Sequence, residues 1–136
     1  MTITPTPISL GDSILWETLH PGVLVVRFVR PDLRRQLDSL NIEDCDLYHE
    51  LQAQVIEPLP ERATVVFNFG LVERFPTAFY QLMVKLRSAI HAKHGRVILC
   101  GFAPEIQEGL EILQAHRLFE IVHKEEQALL HAHNHA

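Results

Sequence analysis

The chain has 136 residues, of which 47% are hydrophobic and 21% are charged, a composition typical of one ordinary globular domain. Its formal net charge of −5 lacks the basic excess of a nucleic-acid binder, and its two cysteines are too few for a disulfide framework. Because no apolar run approaches the roughly 18 residues of a membrane span and the first residues do not resemble a signal peptide, we expect a cytoplasmic domain whose partners include neither nucleic acid nor a membrane.

The N-terminal third predicts an arm followed by a β-hairpin. Residues 1–12 alternate threonine, proline and small side chains, a pattern that predicts a flexible arm. Two short apolar segments, residues 13–19 and 23–29, are separated by the turn signal His-Pro-Gly at residues 20–22. They predict two antiparallel strands. The next residues, 31–40, are polar and irregular.

Beyond residue 40, helical and strand patterns alternate. A helix capped by Asn41 is predicted to end before Pro58, and ATVVFNF at residues 63–69 predicts a buried strand. Pro76 suits the first turn of the next helix, because its missing N–H would be unpaired there anyway. Basic residues and a glycine at residues 93–95 predict the end of that helix.

The remaining sequence repeats this alternation once more. RVILCGF at residues 96–102 predicts a strand, Pro104 begins a helix, residues 119–122 form a short strand and residues 125–131 a short helix. Strands that alternate with helices pair in parallel through right-handed crossovers. The predicted fold is therefore a single α/β domain, in which an antiparallel N-terminal hairpin and parallel β-α-β units form one mixed sheet flanked by about four helices.

One hydrophobic core is expected between this sheet and its helices. It is predicted to contain Val25, Val65, Phe67, Leu82, Leu86, Ile98 and Leu110. The folded domain is expected to span residues 13–130. Residues 131–136 are expected to form a histidine-rich flexible tail.

No motif in the sequence identifies an enzyme or a cofactor. GxGxxG, Walker, HExxH and CxxC patterns are all absent. Cys45 and Cys100 are expected to be a helix residue and a core residue. His91 and His94 are three residues apart on a predicted helix, but no third metal ligand is indicated. We therefore expect no catalysis, no cofactor and no metal.

Basic side chains are concentrated after the second predicted strand. Arg27, Arg30, Arg34 and Arg35 supply four of the 12 lysines and arginines. Such a group suits an acidic protein surface or a phosphoryl group. It is also typical of a solvated loop whose charge is offset by nearby aspartates, and both interpretations stay open.

The order of elements and the segment NFGLVERFPTAFYQLM at residues 68–83 resemble the STAS domain, the fold of bacterial anti-sigma factor antagonists. In that family an Asp ends a strand, a Val follows four positions later, and an Asp-Ser-Ser-Gly motif opens the next helix. The matching positions here are Asn68, Val72 and the Pro-Thr-Ala-Phe sequence of residues 76–79. The segment GRVILCGFAPEIQEGLEILQAHRLFEIV is similar to the family's later strand, helix and last strand, with Leu-Phe at residues 118–119. The resemblance covers residues 13–130, and its diagnostic motif is degenerate.

The resemblance implies a phosphorylation switch at the start of that helix. In family members that switch, the kinase domain of an anti-sigma factor phosphorylates a Ser or Thr in the motif, and the added charge ejects a partner. Here Ala78 occupies the second Ser position, so Thr77 is the phosphoacceptor candidate. Pro76 replaces the acidic residue before it and Phe79 replaces the glycine, so whether the switch still operates stays open. The Thr77 hydroxyl is also expected to cap the helix.

The resemblance further implies a non-catalytic regulatory module that binds another protein in bacterial signal transduction and transcription regulation. The implied partner is an anti-sigma factor or kinase-like protein, or another STAS protein, and a homodimer stays open. The candidate partner-binding residues are Glu73, Arg74, Phe75, Thr77, Tyr80, Arg30, Arg34 and Arg35. Among the aromatic residues we expect Phe79 in the core, and Phe75 and Tyr80 on the surface as anchors.

A small-ligand or nucleotide-binding regulatory domain is the alternative. Parallel sheets place ligands beyond the carboxyl ends of their strands, where the crossover rule puts the arginine-rich loop beside the loop at residues 70–75. No glycine-rich loop supports this alternative. An enzyme ranks below both, because no convergent set of acid, base and nucleophile is apparent.

Overall fold

The computed structural model describes residues 8–10, 14–20, 22–29 and 45–134. Its centre is a sheet of six strands that lie side by side in the order in which they occur along the chain. The strands are β1 (Ile8–Leu10), β2 (Ile14–His20), β3 (Val23–Phe28), β4 (Thr64–Asn68), β5 (Arg96–Cys100) and β6 (Glu120–Val122). β2 is antiparallel to β1 and β3, and the pairs from β3 to β6 are parallel.

Within the described residues, four α-helices connect or follow the parallel strands, as the alternation of patterns predicts. They are α1 (Asp46–Leu51), α2 (Thr77–Ala92), α3 (Pro104–Ile112) and α4 (Glu125–Asn134). α1 continues into a π-helical segment at Gln52–Ile56, and a short 3₁₀ turn at Ala115–Arg117 precedes β6. α1 begins after Cys45, which is its N-cap in an extended conformation (φ −77°, ψ 134°), so the prediction of a cap at Asn41 is wrong for this helix. Asn41 itself lies outside the described residues.

Two described segments near the chain ends, residues 8–10 and 131–134, are more regular than predicted. Ile8–Leu10 pairs with β2, so the prediction of a flexible arm through residue 12 is wrong for these residues. A strand of three residues is too short to show periodicity in a sequence. α4 extends to Asn134, so the flexible tail predicted from residue 131 is wrong as far as that residue. Two contacts hold this part of α4: Nη1 of Arg96 donates to the carbonyl oxygen of His131 at 2.9 Å, and Ala132 is buried in the core.

Strands β3 to β5 are buried on both faces, so the expectation of one core is wrong although all seven predicted core residues are buried. Successive side chains of a strand point to opposite faces, and a run such as VILC at residues 97–100 is apolar on both. The larger core includes Leu24, Val26, Phe28, Val65, Phe67, Val97 and Leu99 from the sheet, with residues of α1 and α2. The smaller core consists of Val23, Val25, Val66, Ile98 and Cys100 with Ala128 and Ala132 of α4.

The end of α2 uses its glycine differently from the prediction. The left-handed residue that comes after the helix is His94 (φ 59°), whereas Gly95 has no positive φ. Gly95 instead allows a close approach: a Cβ atom there would lie 2.7 Å from the carbonyl oxygen of Ala63. The short linker between α2 and β5 therefore packs directly on the start of β4.

Lys93, the C-cap residue of α2, ties the end of the π-helical segment to that helix. Its Nζ donates to the carbonyl oxygens of Ile56, Glu57 and Leu59, the last two at 2.8 and 3.0 Å. An ammonium group has three protons to donate, so one side chain satisfies three backbone acceptors where a helix ends.

Replacing Gln114 by glycine is expected to stabilise the domain by about 0.5–1 kcal/mol, because a left-handed conformation is strained for any residue with a Cβ. Gln114 has φ 56° and ψ 39° directly after the end of α3. Gln107→Gly is the matched control: Gln107 lies inside α3, where glycine is expected to destabilise by a similar amount. Urea unfolding measures both, and a Gln114→Gly protein less stable than the parent would contradict the expectation.

Candidate functional site

The loop between β4 and α2 carries most of the predicted site residues that the structure describes. Glu73 and Arg74 are exposed on this loop, and Phe75 is half-buried near its end. Pro76 is the extended residue before α2 (φ −73°, ψ 154°), and Thr77 is the first residue of the helix. The loop thus brings a charged pair, an aromatic ring and a hydroxyl to one end of α2.

Thr77 does not cap α2, so that prediction is wrong. The N-cap is Pro76, whose carbonyl oxygen accepts a hydrogen bond from the N–H of Phe79 at 2.9 Å. Proline suits this place because its fixed φ matches the extended entry and it has no N–H that needs a partner. The side chain of Thr77 is exposed in the first turn, which leaves its hydroxyl accessible to a modifying enzyme.

A cluster of phenylalanine rings underlies the loop. Phe28 stacks on Phe69 with centroids 4.8 Å apart and meets Phe79 edge-on at 5.1 Å. Phe75 packs edge-on against Phe69 at 5.3 Å and Phe79 at 5.4 Å. It also meets Phe102 at 5.7 Å. Phe79 is fully buried, as predicted, whereas Phe75 is anchored on the core and exposes only part of its ring.

An open groove of about 370 Å³ separates the start of α2 from α3. We call it the α2–α3 groove; it is lined by Phe75, Thr77, Tyr80, Glu105, Ile106, Gly109, Leu110, Ile112 and Leu113. Tyr80 is half-buried and meets Phe119 edge-on at 5.9 Å. Three of the residues predicted from the sequence, Phe75, Thr77 and Tyr80, therefore share one concave surface.

The α3 wall of this groove was not predicted from the sequence. Ile112 is 84% exposed and Leu113 is 44% exposed, although both are large apolar residues. Gly109 lies beside them, and a Cβ atom added there would meet nothing within 4 Å. Apolar residues in a helix are more often typical of a face packed against a sheet, so no pattern in the sequence marks Ile112 as exposed.

Charge is unevenly distributed around the groove. Glu105 is the one charged side chain among the described residues that line it. Glu108 and Glu111 are exposed on the same helix. The hydroxyl of Thr77 therefore shares its surroundings with a carboxylate, and α3 presents an acidic exterior.

The arginine-rich loop lies almost entirely outside the described residues. Arg30, Arg34 and Arg35 belong to that segment, and their proximity to Thr77 stays a prediction. Arg27, the first of the group, is described. Its Nε and Nη2 donate to the two carboxylate oxygens of Glu125, each at 2.9 Å, which makes a bidentate ion pair with α4.

A polar cluster missed by the sequence analysis lies where β4 ends. Asn68 donates from Nδ2 to Oε1 of Glu125 at 2.9 Å, and its Oδ1 accepts the N–H of Gly70 at 2.7 Å. We call Arg27, Asn68, Gly70 and Glu125 the Asn68 cluster. It joins β3, β4, the loop after β4 and α4, and no local pattern links residues so far apart in the chain.

Glu125 stays ionised to lower pH than an ordinary glutamate. Burial alone raises the pKa of its carboxyl, but the hydrogen bonds from Arg27 and Asn68 and the charge of Arg27 outweigh burial and lower the pKa. The carboxylate form is thus the form that holds the cluster together at neutral pH.

Acid is expected to weaken the domain partly through this group. Because the folded pKa of Glu125 is lowered, its contribution to stability is present above the pKa of an unfolded glutamate and is lost as pH falls through the folded pKa. Urea unfolding between about pH 6 and pH 3 should therefore show a shallower loss of stability for Glu125→Gln than for the parent. Glu126→Gln, an exposed neighbour on α4, is the control and should behave like the parent. Equal slopes for Glu125→Gln and Glu126→Gln would contradict this assignment.

Cys100 has the properties of a core residue. Its side chain is fully buried at the end of β5. Burial, together with the negative charge of Glu125, raises the pKa of its thiol to about 12, against a smaller lowering by Arg27. A thiol with that pKa is protonated at neutral pH and is a poor nucleophile.

The described residues offer little that recognises a phosphate or a metal. A second cavity of about 220 Å³ lies between the start of β3 and residues 54–60, and neither this cavity nor the α2–α3 groove is lined by a described arginine or lysine. No three described His, Cys, Asp or Glu residues are grouped to hold a metal ion. Within the same part of the chain, no helix is long and apolar enough to cross a membrane.

Solved structures with a similar fold exist. An anti-sigma-factor antagonist (STAS) domain protein from Planctomyces limnophilus superposes with a TM-score of 0.62 at 21% identity, over 88% of this chain and 97% of that one. A Thermotoga maritima protein assigned as an anti-sigma factor antagonist gives a TM-score of 0.62 at 12% identity, over 80% and 87% of the two chains. No family model and no curated protein sequence matches the chain.

The same fold is found within a larger protein. The murine Solute Carrier 26 family member A9 anion transporter, in its inward-facing state, matches with a TM-score of 0.61 at 13% identity. The match covers 83% of this chain but 18% of the transporter chain. These likenesses show that the chain has the fold of a STAS domain.

Proposed function

We propose that this chain, which has the STAS-domain fold, is a non-catalytic regulatory module that binds an anti-sigma factor or a related kinase-type protein. The α2–α3 groove is the proposed interface. The observation that carries the proposal is the meeting of Phe75, Thr77 and Tyr80 with the exposed apolar residues of α3 in one groove. The fold it shares with anti-sigma-factor antagonist proteins supports the choice of partner.

The aromatic residues of the groove are suited to serve as binding anchors. Interface energy is concentrated in a few aromatic or arginine side chains that a partner covers fully. Phe75 is held by three neighbouring rings and Tyr80 by Phe119, so neither ring loses much freedom when a partner binds. Such preorganisation lowers the entropic cost of association.

Phosphorylation of Thr77 is the proposed switch. A phosphate would add about 1.5–2 negative charges to a groove that already contains Glu105. Repulsion from Glu105, together with the cost of removing water from the phosphate, would oppose burial of this surface by a partner. In this proposal, the unmodified protein binds and the phosphorylated protein is released.

Calorimetric titration with the anti-sigma factor kinases encoded in the same genome tests the interface. Ile112→Glu is expected to weaken binding about tenfold or more, because it places a charge on the exposed apolar wall of the groove. Ile112 is 84% exposed, so folding should be unaffected. Leu130→Glu on α4 is the matched control, since Leu130 is also a large exposed apolar residue but lies away from the groove. Equal affinity of both variants would contradict the proposed interface.

Mass spectrometry after incubation with the same kinases and ATP tests the switch. One phosphate is expected on Thr77, and Thr77→Val should accept none while keeping its affinity for the partner. Phosphate found only elsewhere, or an unchanged affinity of the phosphorylated protein, would remove Thr77 from the mechanism.

A further inference from the structure

Glu125 of α4 lies far from the proposed interface in sequence but is connected to the loop that forms it. We infer that Glu125 is a positioning residue: its carboxylate orients the Asn68 amide, and that amide fixes the loop that carries Glu73, Arg74 and Phe75. The importance of this loop for binding rests on the proposed function, whereas the positioning itself rests on the geometry of the Asn68 cluster.

The hydrogen bond to Glu125 determines which way the amide of Asn68 points. An amide has donors on its nitrogen and acceptors on its oxygen. With Nδ2 directed at Oε1 of Glu125, Oδ1 faces the N–H of Gly70 at 2.7 Å. The opposite orientation would set a donor against the N–H of Gly70 and an acceptor against a carboxylate, so Glu125 selects the orientation that the loop needs.

The amide also fits into a space kept open by two glycines. A Cβ atom at Gly70 would lie 3.0 Å from Oδ1 of Asn68, and one at Gly101 would lie 2.8 Å from it. Because the backbone closes on Oδ1 from two sides, the side chain of Asn68 and the path of the loop depend on each other. The amide orientation that Glu125 selects therefore determines where the backbone of Gly70 lies.

Gly70 is close to the start of the loop, so its position affects the next residues of the chain. The N–H of Val72 donates to the carbonyl oxygen of Phe69 at 3.0 Å, and the side chain of Val72 is buried. The turn held by Gly70 and Val72 leads directly to Glu73 and Arg74. A loose Gly70 would therefore disturb the path of the chain to Phe75, which we assign to the interface.

An aspartate at position 68 could not replace the asparagine in this cluster. Its carboxylate could still accept the N–H of Gly70, but it would have no donor for Glu125 and would repel that carboxylate. The resemblance to STAS domains places an Asp at the position of Asn68. The amide in this chain is thus matched to the glutamate on α4.

Hydrogen exchange of the Gly70 amide, measured by NMR on the full chain, tests the positioning role without a partner. Glu125→Ala is expected to speed exchange at Gly70 about tenfold beyond any change in global stability, the effect of losing about one hydrogen bond. Arg96→Met is the matched control. Arg96 anchors the other end of α4 through His131, and its loss loosens the helix without contact with Asn68.

A double variant separates positioning from simple loosening. Asn68→Ala removes the amide through which Glu125 is inferred to act, so Glu125→Ala should speed exchange at Gly70 by less than about threefold when residue 68 is already alanine. Simple loosening of α4 would speed exchange by the same factor in both backgrounds. Faster exchange with Arg96→Met equal to that with Glu125→Ala, or additive effects of the two substitutions, would overturn the inference.

A measurement of partner affinity distinguishes this inference from the proposed function. Glu125→Ala should weaken binding in the parent, and it should weaken binding little further when residue 68 is already alanine. If Gly70 responds as expected but binding does not change, the positioning role holds and the proposed interface fails. If Gly70 does not respond, the positioning role fails whatever the partner does.

Discussion

Val65→Asp is expected to abolish cooperative folding at neutral pH. Val65 is fully buried in β4, where it is paired with Leu24 on one side and Val97 on the other. An uncompensated charge in such a place costs about 3–5 kcal/mol, in addition to the lost packing, against a total stability of about 5–15 kcal/mol. Circular dichroism during urea unfolding should show no cooperative transition, or one shifted to very low urea.

Two comparisons test whether the buried aspartate charge causes the loss of folding. Val65→Ala removes packing without adding a charge and should remain folded, with a loss of about 2 kcal/mol. The Val65→Asp protein should regain structure as the pH is lowered towards 4, because burial raises the pKa of the introduced carboxyl and the neutral form is tolerated better. A stable, cooperatively folded Val65→Asp protein at pH 7 would show that β4 is not central.

Gly101→Ala is expected to lose about 2–4 kcal/mol, more than is usual for the addition of one methyl group. Gly101 has φ 82°, a conformation that strains any other residue. The added Cβ would also lie 2.8 Å from both Oδ1 of Asn68 and the backbone nitrogen of Gly70. Neither neighbour can move freely, because each is hydrogen-bonded to the other.

Gly109→Ala provides the opposite case in the same chain. Gly109 lies inside α3 with open space where a Cβ would be, so alanine should stabilise the helix by about 0.5–1 kcal/mol. The two substitutions are chemically identical, and urea unfolding should place them on opposite sides of the parent. A Gly101→Ala protein as stable as Gly109→Ala would mean that the backbone at the end of β5 adapts easily.

The sequence was sufficient for the parallel part of the fold because each element there carries its own local signal. Runs such as TVVFN and the repeated apolar spacing of α2 are readable without knowledge of the rest of the chain. β1 and the end of α4 lacked such a signal. Their regular structure depends on contacts with residues distant in sequence, such as the hydrogen bond between Arg96 and His131.

The candidate site was predictable on one side only. The motif resemblance led to Phe75, Thr77 and Tyr80, and the structure places these residues in one groove. The opposite wall, with Ile112, could not be found from periodicity, because an exposed apolar residue looks like part of an inner helix face. The Asn68 cluster could not be predicted for another reason. Its hydrogen bonds to Glu125 join residues that are 57 and 98 positions apart in the sequence.

The order of the strands in the sheet also bears on how the chain reaches its folded state. Each strand pairs with its neighbour in sequence, and the parallel partners come steadily closer along the chain: Val23 with Thr64, Thr64 with Arg96, and Ile98 with Glu120. The entropy lost in closing a loop grows with the logarithm of its length. The β5–α3–β6 unit is therefore the crossover with the smallest entropic barrier to formation, and the α3 wall of the groove belongs to that unit. The strand pair β3–β4 closes the longest of these loops. The Asn68 cluster requires β3, β4 and α4, so it depends on contacts between residues that are far apart in the sequence.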